Sequence, residues 1–200
     1  MLIQKSYQYE LIPNGEQVRK LKQFCGCCRF VFNKGLEEVK KYYDTTGHFL
    51  NYAQLTAFLP KWKQDCDWLK DCNAQVLQQS MKNLSRALMN FSVGRANFPR
   101  FKAKGKKDRC RFPQGFKSDQ NSSRIYLPKI GWVRYRNSKH ITGTIKNITI
   151  STKCGKWYVS IQTEYEQEQP VHTGSDIGID MGVVRFATLS DGRYFEPINA

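Results

Sequence analysis

The chain has 200 residues, 40% of them apolar and 13% aromatic, a globular composition with enough chain to bury a sizeable core. Its 32 Lys+Arg against 17 Asp+Glu give a formal charge of +15, which favours a polyanionic partner such as nucleic acid or anionic lipid over a neutral ligand. No apolar run approaches the ~20 residues of a membrane span, and the start, MLIQKSYQYELIP, lacks a signal-peptide core. A cytoplasmic protein is expected, with no membrane and no small-molecule substrate.

KSYQYELIP, Lys5 to Pro13, alternates polar and apolar residues and reads as a first strand. Asn14 with Gln17 three residues on is a capping-box signature. It opens a helix that carries Val18, Leu21, Phe24, Cys25, Cys28, Val31, Phe32, Leu36 and Val39 at helical spacing, to about Tyr43, with Thr46-Gly47 as its end. A second helix is expected from about Tyr52 to Lys63, disturbed by Pro60. A third is expected from about Ala74 to Val93, with Val76, Leu77, Met81, Leu84, Leu88 and Phe91 on one face.

The texture then changes. Between Arg95 and Lys117 lie Arg95, Arg100, Lys102, Lys104, Lys106, Lys107, Arg109, Arg111 and Lys117 against the single acid Asp108. Phe98, Phe101 and Phe112 interleave with these cations. Cations neutralise phosphates and aromatic faces stack on unpaired bases, so nucleic-acid contact is one reading of this stretch. The other is a solvated loop whose phenylalanines pack inward. Beyond it RIYLPKIGWVRYR, GTIKNITIS and KWYVSIQTEYE read as strands, with turns at Lys129-Ile130-Gly131 and Cys154-Gly155. With the first strand they predict a small antiparallel β-barrel interrupted by the helices. Residues 167–175, QEQPVHTGS, read as a linker.

The seven cysteines form no second C-x-x-C partner for Cys25-Gly26-Cys27-Cys28, so small buried hydrophobes account for them better than zinc ligands. His48, His140 and His172 have no ligand-like spacing. In SDIGIDMGVVRFATLSDG, Ser175 to Gly192, strand alternation puts Ile177, Ile179 and Met181 on a face that can be buried. Asp180 lies opposite with Gly178 and Gly182, two glycines that leave space over its carboxylate. The chain is expected to resume as a strand, VVRFATL, and to turn at Ser190-Asp191-Gly192. Such a strand opens a ribonuclease-H-like sheet, where several carboxylates hold two Mg²⁺ ions; one Asp alone does not. Two other readings stand: an acid that only caps a bend, and the phosphate strand of an actin-like ATPase, although Val183 stands where those ATPases have Thr or Ser.

The ordered set of RFVFNKGLE (Arg29 to Glu37), NYAQL (Asn51 to Leu55), LQQSMKNLSRALMNF (Leu77 to Phe91), NFPRFKAK (Asn97 to Lys104), IYLPKIGWVRYR (Ile125 to Arg136) and GIDMGVVRFATLSDG (Gly178 to Gly192) resembles the N-terminal half of a TnpB-type (OrfB-type) insertion-sequence transposase. The resemblance implies an α+β chain. A wedge-like antiparallel β-barrel would occupy 1–13 and 97–168, a three-helix recognition insertion 14–96, and the first strands of a RuvC-like nuclease domain 175–200. It also implies guide RNA and DNA as partners, Mg²⁺ as the cofactor of the complete enzyme, and Asp180 as the first catalytic, metal-binding carboxylate. Tyr52 and Gln78 fall in the segments that would contact DNA. Arg100, Lys102, Lys104, Lys106, Lys107, Arg109 and Arg111 are the backbone contacts expected from charge. The family's catalytic Glu, final Asp and four-cysteine zinc ribbon have no counterpart before Ala200. The expectation is therefore an N-terminal portion that binds nucleic acid and is inactive as a nuclease on its own, or a binding remnant that acts as a repressor.

Overall fold

In strand β1, Leu2–Ile12, the side chains of Tyr7, Tyr9 and Leu11 alternate inward, as a strand with one buried face requires. The computed structural model describes every residue except 107, 169–173, 175 and 198–200. After β1 come helices α1 (Gly15–Thr46), α2 (Tyr52–Asp65) and α3 (Ala74–Ser92), with a single 3₁₀ turn, Asp67–Leu69, before α3. The 32 residues of α1 make a rod about 48 Å long at ~1.5 Å per residue.

The caps explain these boundaries. Asn14 Oδ1 accepts from the Gln17 N–H at 2.9 Å, and the Gln17 side chain accepts from the Asn14 N–H at 3.1 Å. Asn51 and Gln54 repeat this capping box at the head of α2. Helix α1 ends where Gly47 turns left-handed at φ +70° and donates to the Tyr43 carbonyl. Pro60 has no N–H to give the Thr56 carbonyl, yet α2 runs through it because Leu55, Leu59 and Trp62 are buried along one face. Helix α3 lies close on α1 at Gly35, where an added Cβ would stand 3.0 Å from both Leu84 Cδ2 and Met81 Cε. The buried Ser80 hydroxyl donates to the Cys28 carbonyl at 2.7 Å and is satisfied.

The remaining strands are β2 (Arg109–Phe112), β3 (Lys117–Asp119), β4 (Arg124–Leu127), β5 (Gly131–Tyr135), β6 (Thr144–Lys153) and β7 (Lys156–Glu166). They join β1 in a seven-stranded antiparallel sheet of order β2-β6-β7-β1-β5-β4-β3. This corrects the expected barrel, because β2 and β3 are unjoined edges and the described sheet does not close. The reason lies in the ladders. Strand β1 pairs with β7 along Leu2 to Leu11, but with β5 only at Leu11↔Tyr135 and Ile12↔Arg134. Two ladders thus share one end of β1, and edge strands of three and four residues are too short to bridge the gap. At Gly143, φ +84°, an added Cβ would stand 2.6 Å from the Glu164 carbonyl oxygen, so only glycine fits this approach to β7.

Helices and sheet share one core: Phe24 of α1 stacks on Phe112 of β2 at 5.9 Å between centroids, and both are buried. Leu2–Glu166 form one compact unit; Met1 with residues 167–200 form another. In the second unit β8 (Ile179–Met181), β9 (Ala187–Leu189) and β10 (Tyr194–Phe195) make an antiparallel meander. Only ATL of the expected strand VVRFATL is extended. Residues 183–186 form the bend that returns the chain onto β8. Ile177, Ile179 and Met181, on the face that could be buried, are 47%, 64% and 60% exposed. Strands of two or three residues bury little apolar area, and among the described residues of this unit only Ala187 is a buried hydrophobe. Most of the expected linker, at 169–173 and 175, and with it His172, lies outside the described residues.

Candidate nucleic-acid interface

The basic stretch is anchored to α1 at two points. Asn33 Nδ2 donates to the Lys102 carbonyl at 3.0 Å and Asn33 Oδ1 accepts from the Lys102 N–H at 2.8 Å, a bidentate clasp on the backbone. Asp108, the only acid of the stretch, pairs with Arg29 at 2.9 Å and also accepts from the Gly105 N–H at 3.1 Å. Both partners are about four-fifths buried, so the carboxylate is committed to holding the loop and not to screening its cations. Asn33 and Arg29 were not singled out in the sequence. Each reads there as an ordinary polar residue on a helix.

The three phenylalanines divide between the two readings. Phe112 is fully buried, and Phe98 packs edge-on against Phe91 at 5.2 Å and near Phe49 at 6.1 Å. Phe101 is 53% exposed with the Lys40 ammonium 4.8 Å from its ring centroid, leaving an aromatic face and cation at the surface. Arg100, Lys104, Lys106 and Arg109 are exposed; Lys107 lies outside the described residues. Lys102 and Arg111 are half-buried. The Lys102 ammonium sits 3.7 Å from the Phe32 ring centroid, and burial, aided by Arg109, pushes its pKa down to about 8. Burial and Arg86 likewise lower Arg111.

Lys102, Arg109 and Arg111 converge on one cleft, closed on its other side by Gln79, Asn83, Arg86 and Asn90 of α3. The structure does not bring the other expected residues there. Tyr52, the first residue of α2, and Gln78 of α3 are exposed, and neither side chain makes a hydrogen bond within the described residues. In the second unit Asp180 pairs with Thr188 and borders a shallow groove with Gly178, Ile179, Leu189 and Ser190. Ser190 exchanges two hydrogen bonds with the Gly178 backbone, at 2.8 and 3.0 Å. A Cβ at Gly182 would lie 3.1 Å from the Arg185 carbonyl oxygen, so the bend approaches this glycine closely, while Asp180 itself is exposed.

Five of the seven cysteines, Cys25, Cys27, Cys28, Cys72 and Cys110, are buried. A hydrogen bond with a neighbouring thiol, Cys27 for Cys72 and Cys25 for Cys110, and then burial raise the pKa of both. No group of three His, Cys, Asp or Glu side chains among the described residues is placed to hold a metal ion, and no helix among them is long and apolar enough to cross a membrane.

Over 98% of its length the chain is 48% identical to a protein of Escherichia coli (strain K12) named "Putative RNA-guided DNA endonuclease InsQ". It is 26% identical over 96% of its length to a "Putative RNA-guided DNA endonuclease" of Streptomyces pristinaespiralis. A family profile, HTH_OrfB_IS605, described as a helix-turn-helix domain, matches residues 1–48. These matches make the chain similar to proteins of the TnpB, or OrfB, type. It spans about half the length of these curated relatives, 50% and 49%. Its backbone also aligns with a chain of a cryo-EM Cas12f1–sgRNA–target DNA complex, at TM-score 0.44 and 14% identity, covering 94% of this chain and 54% of that one. In this chain the residues matched by the profile are one strand and one unbroken helix, β1 and α1, with no helix–turn–helix geometry inside them.

Proposed function

We propose that the chain is the N-terminal portion of a transposon-encoded, RNA-guided DNA endonuclease, and that this portion binds guide RNA and DNA in the cytoplasm. The observation that carries this reading is the 48% identity over 98% of the chain to a protein bearing that name. The net charge of +15 and the anchored basic loop support it. In this reading 14–96 recognise nucleic acid, with Tyr52 and Gln78 as DNA contacts. The sheet of 1–13 and 97–168 carries the phosphate contacts Arg100, Lys102, Lys104, Lys106, Lys107, Arg109 and Arg111. Residues 175–200 begin the RuvC-like domain.

Asp180 would be one metal-binding carboxylate of that domain. A two-Mg²⁺ centre needs several carboxylates, whereas the groove beside Asp180 offers this one together with Thr188 and Ser190. The residues present do not make such a centre by themselves, and no cleavage step is assigned to them. Two measurements test the reading. Sequencing the RNA that co-purifies with the chain should return a discrete transposon-end transcript, and random cellular RNA would overturn guide binding. In Mg²⁺ the 200 residues should leave target DNA intact; cutting that Asp180→Ala abolishes would show a complete site.

A further inference from the structure

The cleft between α3 and β2 has features that gripping a phosphate backbone does not require. It encloses about 340 Å³, within the range of small-ligand clefts, and it is the most enclosed of the cavities described. Arg86, Lys102, Arg109 and Arg111 border it, and no Asp or Glu does. The acid closest in sequence, Asp108, is held by Arg29 and Gly105. None of the four cations forms an ion pair among the described residues. Like charges gathered around a partly desolvated cleft repel one another, and a bound anion relieves that repulsion.

One wall is chemically different. Gln79, Asn83, Arg86 and Asn90 recur at spacings of four, three and four, so a single face of α3 presents three amides and a guanidinium. Gln79 donates to Asn83 at 3.2 Å, while the Asn90 and Arg86 side chains have no hydrogen-bond partner among the described residues. An amide offers donor and acceptor side by side, the pattern of a base edge. The volume of the cleft is on the order of a single nucleotide and far below that of a stacked duplex.

We propose that this cleft captures one unpaired nucleotide of a single-stranded nucleic acid, its phosphate among Arg86, Lys102, Arg109 and Arg111 and its base edge against Gln79, Asn83 and Asn90. The proposal rests on the nucleic-acid reading above and adds that one nucleotide leaves the stack. Fluorescence anisotropy with short labelled single-stranded RNA, single-stranded DNA and a duplex of the same sequence tests it, the first two arms showing which sugar is accepted. Arg86→Gln and Asn90→Ala should each weaken single-strand binding by about tenfold and duplex binding by less than about twofold. Lys104→Gln, on the exposed loop, should weaken all three alike.

Both cleft variants replace side chains that carry no hydrogen bond among the described residues, and unchanged thermal midpoints would confirm that they fold. Equal loss on single strand and duplex, or no loss on either, would overturn the cleft while leaving nucleic-acid binding in place. A parent chain that bound none of the three probes would overturn the binding reading and the cleft with it.

Discussion

At Lys102 burial works against a charge, and the consequence is measurable. Its folded pKa is pushed down to about 8, whereas an unfolded lysine titrates near ~10.4. Below pH 8 both states are protonated and the native state carries the cost. Between pH 8 and about 10.4 the unfolded chain binds more protons, so this group's contribution to stability rises with pH. The groups around it are Cys28 and Phe32 on α1, Arg86 on α3, and Arg109, Cys110 and Arg111 on β2. Denaturant titrations should therefore show parent stability gaining on Lys102→Met from pH 8 to 10, and a constant difference would contradict this. The neighbouring clasp makes a simpler prediction. Asn33→Ala leaves the Lys102 N–H and carbonyl without their partners and should cost about 1–2 kcal/mol by the same titration.

Helix α1 contains two glycines whose replacement should act in opposite directions. At Gly26 an added Cβ meets only the Arg29 guanidinium, at 3.9 Å, so Gly26→Ala should stabilise by about 0.5–1 kcal/mol through helix propensity. At Gly35 the Cβ already crowds Met81 and Leu84, and Gly35→Val should destabilise by about 1–3 kcal/mol. Thermal unfolding of both variants checks the pair. The helices were legible from sequence because caps and apolar spacing agree: Asn14/Gln17, Gly47 and the face from Val76 to Leu88 are local signals. Strands β2 and β3 were not. Arg109–Phe112 reads as part of a charge run, and only pairing of Cys110 and Phe112 with Ile150 and Ile148 of β6 makes it a strand. Closure of the sheet depends on how many residues β1 shares with β5, which alternation does not encode. The candidate site was half legible for the same reason. Lys102, Arg109 and Arg111 stand out by charge, while Asn83, Arg86 and Asn90 become a wall only once α3 lies against β2.

On the scale of the whole chain the two units differ in how they are held. Leu2–Glu166 have a continuous apolar core, whereas the meander of the second unit exposes Val183 (97%), Val184 (86%) and Phe186 (54%). Amides of 176–197 should exchange with solvent far faster than those of β6, β7 and α1 in hydrogen-exchange mass spectrometry. Protection equal to that of the core would mean that something covers this face. Binding to nucleic acid should weaken steeply with salt, since each phosphate contact adds about one unit to the slope of log K against log salt. A flat dependence would remove the phosphate contacts from the reading.

The hairpin between β6 and β7 turns through two residues, Cys154 at φ +49° and Gly155 at φ +74°, with Lys153 facing Lys156. Both central residues are left-handed, which suits the twist of the strands but puts a cysteine where Asn or Asp is common. Cys154 is the one exposed thiol of the seven, and burial makes Cys28, Cys72 and Cys110 poor nucleophiles at neutral pH. A maleimide dye would therefore mark this tip selectively without any engineered residue. The tip borders the same groove as Gly105, Asp108 and Arg109, so the dye would sit beside the basic loop and report an arriving strand by its change in brightness.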